Sequence, residues 1–112
     1  DRDAAQGAGG ELGEAIDDLN RAVEIDARRG DAFALRASAY RQVDALDLAL
    51  EDADAAVRLM PSLPEAWLER GILKRIRGDK DGARRDWREV LLLEPDGQAA
   101  ETARANIERM EL

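Results

Sequence analysis

The sequence predicts an all-α fold built from antiparallel helix pairs, and three observations carry that expectation. Apolar residues recur at steps of three and four along most of the chain. The segments that show this period are joined by short connections, which forces neighbouring helices to pack antiparallel. The chain is also rich in Ala, Leu, Arg, Asp and Glu, with 3 prolines and little β-branched content. That mix favours helix over sheet.

Taken in order, Asp1 to Gly10 is small, polar and glycine-rich, and reads as a helix remnant or a disordered stretch. Helical period begins at Glu11 and runs to Asp26 through Leu12, Ala15, Ile16, Leu19, Ala22 and Val23. Arg28-Arg29-Gly30 closes it, with glycine suited to the turn and arginine to the negative helix end. Asp31 is placed to cap a helix over 31–43 that carries Phe33, Ala37 and Tyr40 on one face. Asp44 is placed to cap the next, 45–60, which Pro61 stops. Ser62-Leu63-Pro64-Glu65 has the spacing of a capping box ahead of helix 64–77. Gly78-Asp79 ends that helix and starts helix 80–93, which stops before Pro95. Asp96-Gly97 opens a last helix that reaches about Met110.

Composition narrows the chemistry. The net charge is −8, with all of the surplus acid before Trp67, so the chain repels nucleic acid and anionic membrane. It has neither cysteine nor histidine, which removes thiol chemistry, the usual zinc ligands and the neutral-pH proton shuttle. No cofactor is expected, and no apolar run is long enough to span a membrane. There is no initiator Met and no signal peptide at the start, so a mature form or a fragment of a longer protein is expected, and no compartment is indicated.

Sliding the chain by 34 residues superposes it on itself. Ala32, Ala66 and Ala100 align, as do Ala15, Ala49 and Ala83, then Val23, Val57 and Leu91, and Pro61 with Pro95. Two helices per unit, small residues where helices cross, and a terminating proline resemble the tetratricopeptide repeat. The best copy supplies Trp67, Gly71, Gly78, Ala83, Trp87 and Pro95, and the middle copy Phe33, Ala37, Tyr40, Ala49, Ala56 and Pro61. The first copy keeps only its second helix, over 11–29, followed by repeats over 30–63 and 64–97 and a closing helix over 98–112. Arginine replaces the family's Leu before its Gly position, and Lys74 replaces its Tyr. The resemblance implies one domain, a right-handed superhelical array with a C-terminal solvating helix. It also implies a non-enzymatic protein-interaction module that binds a peptide or helix of a partner in its concave groove.

Charged residues keep the same period. Arg2, Arg36, Arg70 and Arg104 lie 34 apart, and so do Asp18, Asp52 and Asp86. An Arg–Asp ladder between helices is the expectation, with Arg70 meeting Asp52 or Asp86. A row of ligand-binding arginines is the alternative. Arg2 in register suggests that 1–7 is the tail of a first helix, which would leave helix 11–26 uncovered. Self-association through that end, making a homo-oligomeric assembly unit, is therefore the second reading of function.

The candidate partner site lies on the first helices of the units, which line the concave surface in this family. On a helical wheel Leu68, Ile72 and Ile76 form an apolar stripe apart from Trp67 and Gly71, with Arg75 beside it. Arg41, Arg75 and Arg109 repeat at 34 and would edge the groove. Some family members grip a C-terminal carboxylate with Lys and Asn on these helices. The matching positions here are Ala34 and Ser38, then Leu68 and Ile72, so that clamp is not expected. The basic stretch Lys74–Arg88 lacks interleaved aromatics beyond Trp87, which disfavours nucleic acid. Asp17/Asp18 and Glu51/Asp52 are the only carboxylate pairs placed for acid–base work, and a solvated face explains them better.

Overall fold

The computed structural model describes residues 2–111, with side chains from Gly10 onward. Six α-helices occur among the described residues: α1 (Arg2–Ile25), α2 (Gly30–Gln42), α3 (Leu46–Leu59), α4 (Pro64–Ile76), α5 (Lys80–Leu93) and α6 (Gln98–Glu111). No strand occurs among the described residues. Where the sequence sets the start of the first helix at Glu11, α1 extends from Arg2. Interior glycines cost a helix about 1 kcal/mol each and do not break it as proline would. The expectations for residues 1–9 concern side chains that lie outside the described residues.

Each helix packs on the next, most extensively within the pairs α2/α3 and α4/α5. The even helices also lie side by side, α2 on α4 and α4 on α6, while among the described residues the α3 backbone comes close to neither α1 nor α5. This one-sided neighbour pattern is what curves a stack of helix pairs, with the even helices on the inner face.

The core follows the small residues of the repeat. Ala32, Ala37, Ala49, Ala53, Ala66, Ala83, Ala100 and Ala103 are all buried. Trp87 fills the space that small residues leave at the α4–α5 crossing, and a Cβ placed on Gly71 would overlap its indole ring. Trp87 Nε1 donates to the Leu68 carbonyl at 3.3 Å, which satisfies its one polar atom inside the core. Leu73 is equally buried, against Ala37, Ala49 and Ala53, and ties α4 to the preceding pair.

The caps differ from the sequence reading at three of four places. Asp79 does cap α5, its carboxylate accepting from Gly82 N at 2.9 Å. By contrast Arg29, Ala45 and Leu63 occupy the N-cap positions of α2, α3 and α4 without side-chain capping bonds. Asp31, Asp44 and Ser62 therefore do not cap these helices. Asp44 instead terminates α2 in the left-handed region, at φ 64°. Ala45 N then donates back to Tyr40 O at 2.8 Å. Gly78 at φ 92° does the same for α4, with Asp79 N donating to Lys74 O at 2.8 Å. The two turns are one Schellman motif repeated, and its geometry outranks the capping that aspartate offers.

Candidate functional site

The periodic arginines are joined to carboxylates in a repeating three-helix arrangement. Arg36 donates from Nε and NH2 to Asp52 at 2.7 and 2.8 Å, and from NH1 to Asn20 at 2.9 Å. One repeat later Arg70 donates to Asp86 through two bonds of 2.9 Å, and to Asp54 at 3.4 Å. Each guanidinium lies over an aromatic ring of its own helix, Phe33 at 5.3 Å and Trp67 at 5.0 Å. The Asp52 and Asp86 hydrogen bonds hold Arg36 and Arg70 above the usual arginine range, against the opposing effect of burial. Both forks are thus engaged within the chain, with Asp86 rather than Asp52 as the partner of Arg70. Arg104 departs from the pattern and donates to the Pro95 carbonyl at 2.6 Å.

The candidate groove residues separate into three groups. Ile72, Arg75 and Ile76 of α4 meet Thr102, Asn106 and Arg109 of α6 around an open hollow of about 540 Å³ floored by Trp87. Leu68 lies one turn earlier and lines a second hollow of about 450 Å³ between α2 and α4, with Asp31, Leu35, Leu63 and Glu65. Arg41 is drawn aside: its Nε and NH2 donate to Glu69 at 2.5 and 3.3 Å, and only 9% of the Glu69 side chain is exposed. Arg41 therefore fixes α2 to α4 and is not a groove-edge cation. Sequence reasoning missed Glu69, although it faces the same side of α4 as Arg41 of the neighbouring helix. It also missed the hollow around Leu35, whose exposure of 60% is a signal only the packed structure displays.

Arg75 and Arg109 make no ion pair among the described residues, in contrast to Arg36, Arg41 and Arg70. Ile76 is 49% exposed beside them. Leu68 and Ile72 pack partly on the Trp87 cluster, so the stripe is half core and half surface. The hollow thus offers an apolar floor, two guanidiniums without carboxylates, and the neutral polar groups of Thr102 and Asn106. Guanidiniums beside apolar surface are chemically complementary to a carboxylate next to an apolar residue. Of the acid–base candidates, Asp52 is held by Arg36 and Asp18 by Arg21 at 2.5 Å. Among the described residues no cluster of three or more Asp and Glu side chains is arranged to hold a metal ion, and no helix is long and apolar enough to cross a membrane.

No protein-family model matches the chain. The chain is similar to the mouse (Mus musculus) protein O-mannosyl-transferase TMTC1, with 27% identity over 103 residues, or 88% of the chain and 11% of that protein. The human (Homo sapiens) protein of the same name is 27% identical over 101 residues, 87% of the chain and 12% of that protein. The chain thus spans 11% and 12% of the length of these curated relatives. Among solved structures, it resembles the second TPR domain of human RPAP3 in complex with the HSP70 peptide SGPTIEEVD. That match is 30% identical with a TM-score of 0.75, over 96% of this chain and 90% of that one. The first TPR of Spaghetti (RPAP3) bound to the HSP90 peptide SRMEEVD is 25% identical with a TM-score of 0.82, over 98% of this chain and 85% of that one. The Sgt2 TPR domain from Aspergillus fumigatus has the same fold, with a TM-score of 0.79 at 24% identity, over 97% of this chain and 74% of that one.

Proposed function

Because the chain belongs to the tetratricopeptide repeat family, we propose that it is a protein-interaction module holding a short partner segment on its inner face. The site centres on Ile72, Arg75 and Ile76 of α4 and Arg109 of α6, with Leu68 beside it. The observation that carries this reading is the pair Arg75 and Arg109, unpaired beside an apolar floor while other periodic arginines are bound to carboxylates. The ligand is an extended peptide with an apolar anchor and acidic neighbours. The solved relatives add support, since the peptides they hold, SGPTIEEVD and SRMEEVD, have both features. The Ala34, Ser38, Leu68 and Ile72 positions lack the Lys and Asn of a carboxylate clamp, so recognition here rests on Arg75 and Arg109. The module works without catalysis, and a transferase activity does not pass to a chain that matches 11% of the transferase.

Labelled SGPTIEEVD in a fluorescence anisotropy titration tests the reading. Ile72→Glu abolishes binding while the helical circular dichroism spectrum stays unchanged, and Arg75→Glu weakens it. Unaltered affinity in both folded variants, or a wild-type chain that ignores the peptide, overturns the reading.

A further inference from the structure

The inner surface is polarised along its helices. Every fourth or third residue of α4 reads Glu65, Leu68, Ile72, Arg75, a single stripe of acid, two apolar residues and base. The same stripe on α2 reads Asp31, Ala34, Ser38, Arg41, but there both charges are paired within the chain, Asp31 with Arg29 and Arg41 with Glu69. Glu65 and Asp31 border the hollow between α2 and α4, whose floor is Leu35, Leu63 and Leu68. Arg75 and Arg109 border the hollow between α4 and α6. Acidic first turns and basic last turns suit the helix dipole. Here, however, the two ends flank two apolar hollows, one lined by Leu68 and the other by Ile72, one turn apart on α4. Glu65 at one end, and Arg75 and Arg109 at the other, carry charges that are free to act on a ligand, whereas Asp31 is held by Arg29. Glu65 is exposed and makes no ion pair among the described residues, and neither Arg75 nor Arg109 makes one.

Resting on the interaction-module reading, we infer that the occupant is a charge-asymmetric peptide. Its basic residue lies at Glu65, two apolar residues fill the two hollows, and its acidic residue lies at Arg75 and Arg109. Glu65 and Arg75 are ten positions apart, about 15 Å along a helix. An extended chain covers that in about five residues. The predicted ligand therefore carries its base and its acid about five residues apart, with apolar residues between. A uniformly acidic peptide meets Glu65 as a like charge, and a uniformly basic one meets the two arginines.

Three synthetic peptides of one length separate these cases: RRLSALEE, EELSALEE and RRLSALRR. Calorimetric titration at physiological salt keeps the long-range pull of the −8 chain on basic peptides small, because the Debye length is about 8 Å. RRLSALEE binds about fivefold more tightly than either uniform peptide, the scale of one or two surface charge contacts. Glu65→Lys shifts the preference to EELSALEE, and Arg75→Glu shifts it to RRLSALRR. Equal affinities for the three peptides, an order unmoved by both variants, or no binding of any peptide overturns the inference. Ile72→Glu, titrated with the same peptides, tells the two failures apart. If it abolishes binding while the order ignores charge, the groove stands and its polarity falls. If it leaves binding intact, the groove itself is wrong.

Discussion

Arg41 donates two hydrogen bonds to Glu69 across the α2–α4 interface, at 2.5 and 3.3 Å, over a sequence separation of 28. The same step from Arg75 arrives at Ala103, a buried residue without a charge. One repeat therefore holds its arginine in the structure, and the next leaves its arginine exposed in the groove. Arg41→Ala removes the partner of a buried carboxylate and is expected to cost about 1–3 kcal/mol in urea denaturation. Its affinity for acidic peptides, measured below the unfolding transition, stays within twofold or so of wild type. Arg109→Ala does the reverse, leaving stability within about 0.5 kcal/mol and weakening binding.

The Arg70–Asp86 pair is half of a double-mutant cycle. Asp86 has 3% of its side chain exposed and Arg70 19%, so the bonds are made away from water. Arg70→Ala, Asp86→Ala and the double variant are expected to show a coupling of about 1–3 kcal/mol by urea denaturation. Arg70→Ala with Asp52→Ala gives additive losses. Arg104→Ala, whose bond is exposed, costs about 0–1 kcal/mol.

Gly71 has no room for a side chain. A Cβ there would meet Trp87 Cδ1 at 2.6 Å, in a core that packs without slack. Gly71→Ala is expected to destabilise by about 1–3 kcal/mol and to shift the tryptophan emission maximum, because the indole must move. Unchanged emission and stability would mean that the ring is not seated on Gly71.

Asp44 pays a conformational cost that Gly78, its equivalent 34 residues later, avoids. Left-handed backbone is unfavourable by about 1–2 kcal/mol for a residue with a Cβ, less for aspartate. Asp44→Gly is expected to raise stability by up to about 1 kcal/mol. Gly78→Ala lowers it by a similar amount. A thermal melt of each variant checks the sign.

The helices, their order and their period were legible in the amino-acid sequence, because each depends on local spacing: three-and-four apolar steps, glycine and proline at the ends, and a 34-residue register. The ladder was legible as a pair of periods, Arg36/Arg70 against Asp52/Asp86, since identical units must place identical charges alike. Which carboxylate each arginine grips was decided by tertiary structure. Asp52 and Asp86 both lie within reach of α4 in sequence, and only packing of α4 on α5 brings Asp86 to the fork of Arg70. The failed cap at Asp44 has the same origin. Asp44 is a good cap by type, but the antiparallel turn from α2 into α3 requires a left-handed residue at that place. In the groove, sequence placed Ile72, Arg75, Ile76 and Arg109 together because helical spacing and the repeat period both act on them. It could not separate Arg41 from Arg75, two arginines in one register, because the difference is a carboxylate on another helix: Glu69 stands beside Arg41, and Ala103 takes the equivalent place for Arg75. Local spacing determines which face a side chain occupies. Its charge is neutralised or left for a ligand by whatever the neighbouring helix places opposite, and that is settled only when the helices pack.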